Sequence, residues 1–197
     1  MQITIEDKKL TLHKLNLQFE EEIFINRFSE YKSNTLEKIF HKKQYKTLKK
    51  DFKTEIVKKS NEYLGKFLLD LKINKNEKYC KFLNKYGDKI YSKFNFTDEK
   101  FKVHKGIYFF YYKDKLSYIG RCTNNFNKRI NQGYGNISPT SCYKHGNTTN
   151  CHLNSVITSK QKKNISLFIH LMENKNKIEI LEKILIRKYQ PEWNQTK

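Results

Sequence analysis

The sequence predicts an α+β protein: a small three-stranded antiparallel sheet flanked by helices in its C-terminal half, behind a mostly helical N-terminal extension. Three observations carry this. Through residues 1–100 apolar side chains recur three or four apart with charges between them, as in surface helices packed on a small core. Near residue 101 the texture changes to dense aromatic and β-branched runs at 106–112 (GIYFFYY) and 116–120 (LSYIG). A third such run at 165–171 precedes a strongly periodic segment that Pro191 brings to a stop.

In chain order, residues 17–31 and 36–52 read as helices, and 54–71 continues the pattern through Ile56, Val57, Tyr63, Leu64, Phe67 and Leu68. The run 41–50 (HKKQYKTLKK) offers a cationic face with an interleaved tyrosine, suited to phosphate or to plain solvation. The runs 106–112 and 116–120 form a hairpin that turns at Lys113-Asp114-Lys115. Thr123 or Asn124 then caps a helix whose Phe126 and Ile130 lie one turn apart, which sets Arg129 beside the buried stripe; Gly133 and Gly135 end it. A further helix spans about 150–158, a strand 165–171, and a last helix 177–189, with Ile178, Leu181, Leu185 and Tyr189 at helical spacing. The expected domains are a helical basic region, 1–100, and a second domain, 101–197, with an insertion at about 134–154.

The formal net charge is +20. Residues 1–100 carry 23 Lys and Arg against 15 Asp and Glu, and residues 101–197 carry 17 against 5. Such a surplus attracts a polyanion, and counterion release favours salt-sensitive nucleic-acid binding. No apolar run approaches the length of a membrane span and the N-terminus lacks a signal-peptide pattern, so a cytoplasmic protein with no membrane partner is expected. In that compartment the four cysteines are expected as reduced thiols.

Phosphodiester cleavage needs an activated water and balancing charge for a pentavalent phosphate, which a carboxylate-held divalent ion with a cationic side chain can supply. The basic C-terminal half has only five acids, and Glu182 follows Leu181 at the edge of the last helix's apolar stripe. The tripeptides Gly106-Ile107-Tyr108 and Tyr118-Ile119-Gly120 fall on paired strands with their tyrosines ten residues apart. They are followed by Asn125-x-x-Lys128-Arg129 on a helix and by 182–194 (EKILIRKYQPEWN), in which Glu182 and Asn194 are twelve apart. Together these residues resemble the GIY-YIG nuclease family over residues 106–194, and among its members the type II restriction endonucleases most.

The resemblance implies a metal-dependent DNA endonuclease. Tyr108 would face the scissile phosphate and help deprotonate the attacking water, which for a group of ordinary pKa ~10 requires a charged neighbourhood or a role in orienting water instead. Tyr118 would hold a phosphate oxygen or the water, Arg129 would neutralise developing charge, and Asn194 would brace the site. Glu182 would bind one divalent ion, Mg2+, with Mn2+ as a substitute. Arg121, Lys128 and Tyr134 would contact DNA. Gly133 stands where many members have a histidine, leaving Tyr134 or Tyr108 to do its work, and Arg129 lies eleven residues after Tyr118, one more than is usual. Double-strand cleavage with one active site per chain implies a homodimer on double-stranded DNA or sequential nicking. Within 134–154, Cys142, His145, Cys151 and His152 suffice in number for tetrahedral zinc; the alternative is a polar loop that lies over the DNA or helps form a dimer. A phage or mobile-element (homing-like) endonuclease of looser specificity and a non-catalytic DNA-binding protein of the same fold are the competing readings.

Overall fold

The computed structural model describes residues 2–5 and 8–195. The chain opens with strands β1 (Gln2–Ile5), β2 (Lys8–Thr11), β3 (His13–Leu15) and β4 (Leu17–Phe24). Helix α1 (Leu36–His41), a 3-10 stretch Lys43–Phe52, α2 (Lys53–Lys59) and α3 (Leu64–Ile73) follow. Then come β5 (Tyr91–Phe96), α4 (Glu99–Lys102), β6 (Gly106–Tyr112), β7 (Lys115–Cys122) and a π-helical stretch Asn127–Tyr134. Helix α5 (Thr148–Thr158), β8 (Ile165–Leu171) and α6 (Lys175–Tyr189) complete the order.

Two compact units result. The first comprises Met1–Ile23, Tyr91–Ile137 and His152–Lys197. Its principal sheet is antiparallel in the order β3-β8-β6-β7, so the expected three strands gain a fourth. His13–Leu15 supplies it, with Lys14 opposite Phe168 on β8. A strand of three residues is too short to show an alternation in the sequence.

Strand β6 is buried on both faces, and its alternation sorts side chains between two cores. Tyr108 and Phe110 join Tyr118, Phe126, Ile130, Leu153, Ile169 and Trp193 on one face. Ile107, Phe109 and Tyr111 join Leu12, Ile119, Ile178 and Leu185 on the other, where α6 packs. Each fully buried Phe or Ile contributes about 1.5–3 kcal/mol over its exposed state, so the central hairpin is the most strongly anchored element of this unit.

The second unit comprises Phe24–Ile90 and Ser138–Cys151. Its core is aromatic: Phe52 packs against Phe40, Phe67 and Phe82 with ring centroids 6.1, 5.7 and 5.5 Å apart. The second segment is tied in by Asn84, whose Nδ2 donates to the carbonyls of Ser141 (2.7 Å) and Tyr143 (3.2 Å), and by the Tyr143 hydroxyl, which donates to Phe28 O at 3.0 Å.

The expectation of mostly helix in the N-terminal region is corrected in part. Residues 17–24 form β4 rather than a helix, and a 3-10 turn occupies Arg27–Glu30. Leu17 and Phe19 alternate with exposed Gln18 and Glu20, and Phe19 packs on Phe94 of β5, a partner about 75 residues away in sequence. That non-local pairing outweighs the local helical spacing. The expected helix at 36–52 breaks at Lys42, whose ψ of 133° is extended. The one at 54–71 is two helices, α2 and α3.

Candidate active site

The site is built around the β6–β7 hairpin, and two glycines make its close approaches possible. Gly106 has φ +146°, and a Cβ there would lie 2.0 Å from His170 O on β8. Gly120 pairs with Tyr108 across the hairpin, and a Cβ there would lie 2.2 Å from the Tyr108 hydroxyl. The Tyr108 ring thus occupies the space that any other side chain at 120 would claim. The hairpin turns through Lys113 and Asp114, both left-handed at φ 48° and 61°. This is the pattern of a type I′ two-residue turn, here made without its favoured Asn-Gly.

A buried network of hydroxyl groups occupies one face of the hairpin. The Tyr108 and Tyr134 hydroxyls are 2.6 Å apart, and Tyr134 also reaches the Tyr118 hydroxyl at 3.3 Å. Arg129 Nε donates to the Tyr108 hydroxyl at 3.1 Å, and its guanidinium lies 4.6 Å from the centre of the Tyr134 ring. Tyr108 and Tyr134 are fully buried and Tyr118 nearly so.

Arg129 and Tyr134 sit on the π-helical stretch, whose wide turn is closed by Gly135 N donating to Ile130 O at 2.7 Å. Such turns recur at functional sites. Asn125, rather than Thr123 or Asn124, caps this stretch by accepting from Lys128 N at 2.8 Å. Two asparagines then fix its far side. Asn131 exchanges hydrogen bonds with the Phe96 backbone, and Asn154 Nδ2 donates to Tyr134 O at 2.7 Å.

A second group gathers at the other face of β7, which is the edge strand of the sheet. Arg121 Nη1 donates to Glu182 Oε2 of α6 at 2.7 Å, with Glu179 more distant at 3.9 Å. Beyond Arg121 lies an open polar groove of about 380 Å³ whose lining includes Arg121, Thr123, Asn125, Lys128 and Arg129. Three cations therefore converge on one groove. Asn194 pairs with the free edge of β7: its Oδ1 accepts from Ile119 N (2.9 Å) and its Nδ2 donates to Ile119 O (2.8 Å), one residue from Tyr118.

Burial decides the protonation states. It pushes the Tyr108 hydroxyl well above the usual tyrosine range, reinforced by Tyr118, and the opposing pull of Arg129 does not restore it. Burial raises Tyr118 and Tyr134 as well. All three are neutral hydroxyls at neutral pH. Burial works against the charge on Arg129, yet the neighbouring tyrosine oxygens more than offset it, so the guanidinium stays protonated. Burial also raises the Glu182 carboxyl above its ordinary value, with Arg121 pulling it down only in part. The two groups sense each other, since Glu182 raises Tyr118 and Arg129 lowers Glu182.

The structure thus brings Tyr108, Tyr118, Tyr134 and Arg129 into one hydrogen-bonded cluster and Arg121 with Glu182 into another. Lys128 is exposed on the groove between them, and Asn194 is at the strand edge. Tyr134, expected to contact DNA, is fully buried, and its hydroxyl joins the two motif tyrosines. Asn131 and Asn154 brace the helical stretch that carries Arg129 and Tyr134, and His152, a zinc candidate by sequence, has its Nε2 2.8 Å from Trp193 O instead. Isolated asparagines carry no periodic signal, so only the fold identifies them. Among the described residues no group of three or more His, Cys, Asp or Glu side chains could hold a metal ion, which leaves the zinc reading of Cys142, His145, Cys151 and His152 without support.

Residues 104–196 match the family model of the GIY-YIG catalytic domain. That match covers just under half of the chain and supports the GIY-YIG nuclease family, and with it an endonuclease acting on DNA. No curated protein and no solved structure matches the chain. Among the described residues no helix is long and apolar enough to cross a membrane.

Proposed function

We propose that the chain is a metal-dependent DNA endonuclease, and that it is a sequence-specific enzyme of the type II restriction class acting as a homodimer on double-stranded DNA. The observation that carries the reading is the convergence of a buried Arg129–tyrosine cluster, a cationic groove and a desolvated carboxylate around one strand edge.

The raised pKa of Tyr108 supports a role for its neutral hydroxyl in orienting the attacking water rather than in abstracting a proton. Arg129, fixed by Tyr108, is held to balance the charge that develops on the phosphate. Arg121 and Lys128 line the groove where a DNA backbone would run, and Asn194 holds the β7 edge so that Tyr118 keeps its position.

Glu182 fits a divalent ion that keeps most of its water. Its side chain is 15% exposed, its charge is poorly solvated and its partner Arg121 lines the groove. A single carboxylate with water and phosphate oxygens suits Mg2+, or Mn2+ in its place. Bound there, the ion would supply Lewis-acid charge at the reacting phosphate.

The specific type II reading is supported by a nuclease unit accompanied by a compact second unit that carries the basic 41–50 run. Glu182→Gln tests the core of the proposal. It should leave DNA binding within about twofold in a mobility-shift assay while abolishing cleavage; metal-dependent cleavage by this variant would remove Glu182 from the ion-binding role.

A further inference from the structure

Two segments that the sequence marks as candidate DNA contacts, the basic run 41–50 and the 138–151 part of the insertion, meet in the second unit. There they line one pocket of about 120 Å³. Its floor is aromatic: Tyr45 and Tyr143 are buried, and Tyr31 packs on Tyr143 with ring centroids 4.8 Å apart. Tyr45 in turn stacks on Phe82 at 5.5 Å. These rings are locked in place, because the Tyr143 hydroxyl donates to Phe28 O and the Tyr31 hydroxyl accepts from Asn34 Nδ2. The rim is different. Lys42, Gln44 and His145 are all exposed and line the mouth.

We propose that this pocket takes a nucleobase, and that the neighbouring lysines take the phosphates of the same strand. Close-packed interiors leave few voids larger than a water molecule. At about 10–15 Å³ for each water-sized group, 120 Å³ holds on the order of ten such groups, the size of a purine ring system. An aromatic floor stacks on any base, and a rim amide, imidazole and ammonium supply hydrogen bonds to its edge. An adjoining polar depression of about 600 Å³, lined by Ser141, His145, Asn147 and Thr148 among others, extends the site along a strand.

The charge pattern points to the same ligand. Some lysines of this unit are paired, Lys81 with Asp51, Lys72 with Asp88 and Lys59 with Glu62 and Asp70. Among the described residues no carboxylate lies within ion-pair distance of Lys42, Lys43, Lys46, Lys49 or Lys50, all of which are exposed. Lys42 lines the pocket and Lys43, Lys46, Lys49 and Lys50 follow it along the chain, a cationic run that suits a phosphate-linked base better than a neutral ligand.

The base can come from DNA, as a nucleotide turned out of the stack, or from a free nucleotide. The first source rests on the proposed function above and the second does not. The test uses full-length Glu182→Gln protein and the same protein with Gln44→Ala and His145→Ala added, two exposed rim changes whose melting temperature is checked first. Each is titrated with the four deoxynucleoside monophosphates by calorimetry, and with a single-stranded oligomer carrying one 2-aminopurine by fluorescence. Binding of either probe that weakens tenfold or more in the rim variant supports the pocket, and the probe that responds identifies the source. DNA binding that is equal in both proteins, with no mononucleotide binding, overturns the pocket and leaves the nuclease reading standing. Failure of all probes to bind either protein overturns the pocket, and the nuclease reading is then judged on duplex DNA alone.

Discussion

Arg121 and Glu182 neutralise one another in the free chain, with Nη1 2.7 Å from Oε2. Both are residues that the proposed chemistry needs elsewhere, the arginine on a phosphate and the glutamate on a divalent ion. Opening one pair releases two functional charges.

Arg121→Ala should therefore tighten Mn2+ binding by about threefold to tenfold, because each ~1.4 kcal/mol of competing interaction removed is worth a factor of ten. The same change should weaken DNA binding by a similar factor, since one phosphate contact is lost. Electron paramagnetic resonance of free Mn2+ and fluorescence anisotropy of labelled duplex measure the two. An unchanged Mn2+ affinity would show that the ion pair does not guard the site.

Tyr134→Phe removes the hydroxyl that joins Tyr108 to Tyr118. Leaving buried hydroxyls short of a partner costs about 1–3 kcal/mol, so cleavage should fall by about 10- to 100-fold with modest loss of stability. Tyr111 lies on the opposite face of β6, and Tyr111→Phe should change cleavage by less than about threefold. Equal effects of the two variants would deny the cluster a role in positioning.

The buried tyrosines also set an alkaline limit to stability. Tyr108, Tyr118 and Tyr134 have folded-state pKa values above the ~10 of the unfolded chain. Their neutral forms contribute stability that is fully present below that value. As pH rises past it, the unfolded chain ionises first and binds fewer protons, so stability falls by up to about 1.4 kcal/mol per pH unit for each such tyrosine, until the folded pKa is passed. Urea unfolding should be flat between pH 7 and 9 and decline above 10. In the same range, tyrosinate absorbance of native Tyr108→Phe protein should match the parent, because Tyr108 does not ionise there.

Lys113 and Asp114 hold left-handed backbone that Asn and Gly adopt at lower cost. Replacing them with Asn-Gly should stabilise the hairpin by about 0.5–1 kcal/mol without altering cleavage. Thermal unfolding checks this, and a lowered melting temperature would mean that the turn is of another type.

The hairpin, β8 and α6 were legible because burial on both faces, helical spacing and Pro191 all leave local marks. The motif tyrosines, Arg129 and Glu182 were legible by resemblance, and their spacing carries that signal. Strand β4 was not, because Leu17 to Phe24 satisfies both a helical and an alternating pattern and its partner β5 lies far along the chain. Nor was the place of Tyr134: sequence shows an aromatic after Gly133, and only the π-helical turn reveals that its hydroxyl points to Tyr108 and Tyr118. The burial that keeps the Tyr108 hydroxyl protonated is likewise a property of the packed sheet.

The most direct test is incubation of the purified chain with plasmid and phage DNA in Mg2+ and, in parallel, in chelator, resolved on a gel. The account predicts discrete fragments that appear only with Mg2+. A smear or nicked circles would contradict the site-specific reading and favour a mobile-element enzyme, and intact DNA in both lanes despite tight, salt-sensitive binding would contradict the nuclease assignment itself.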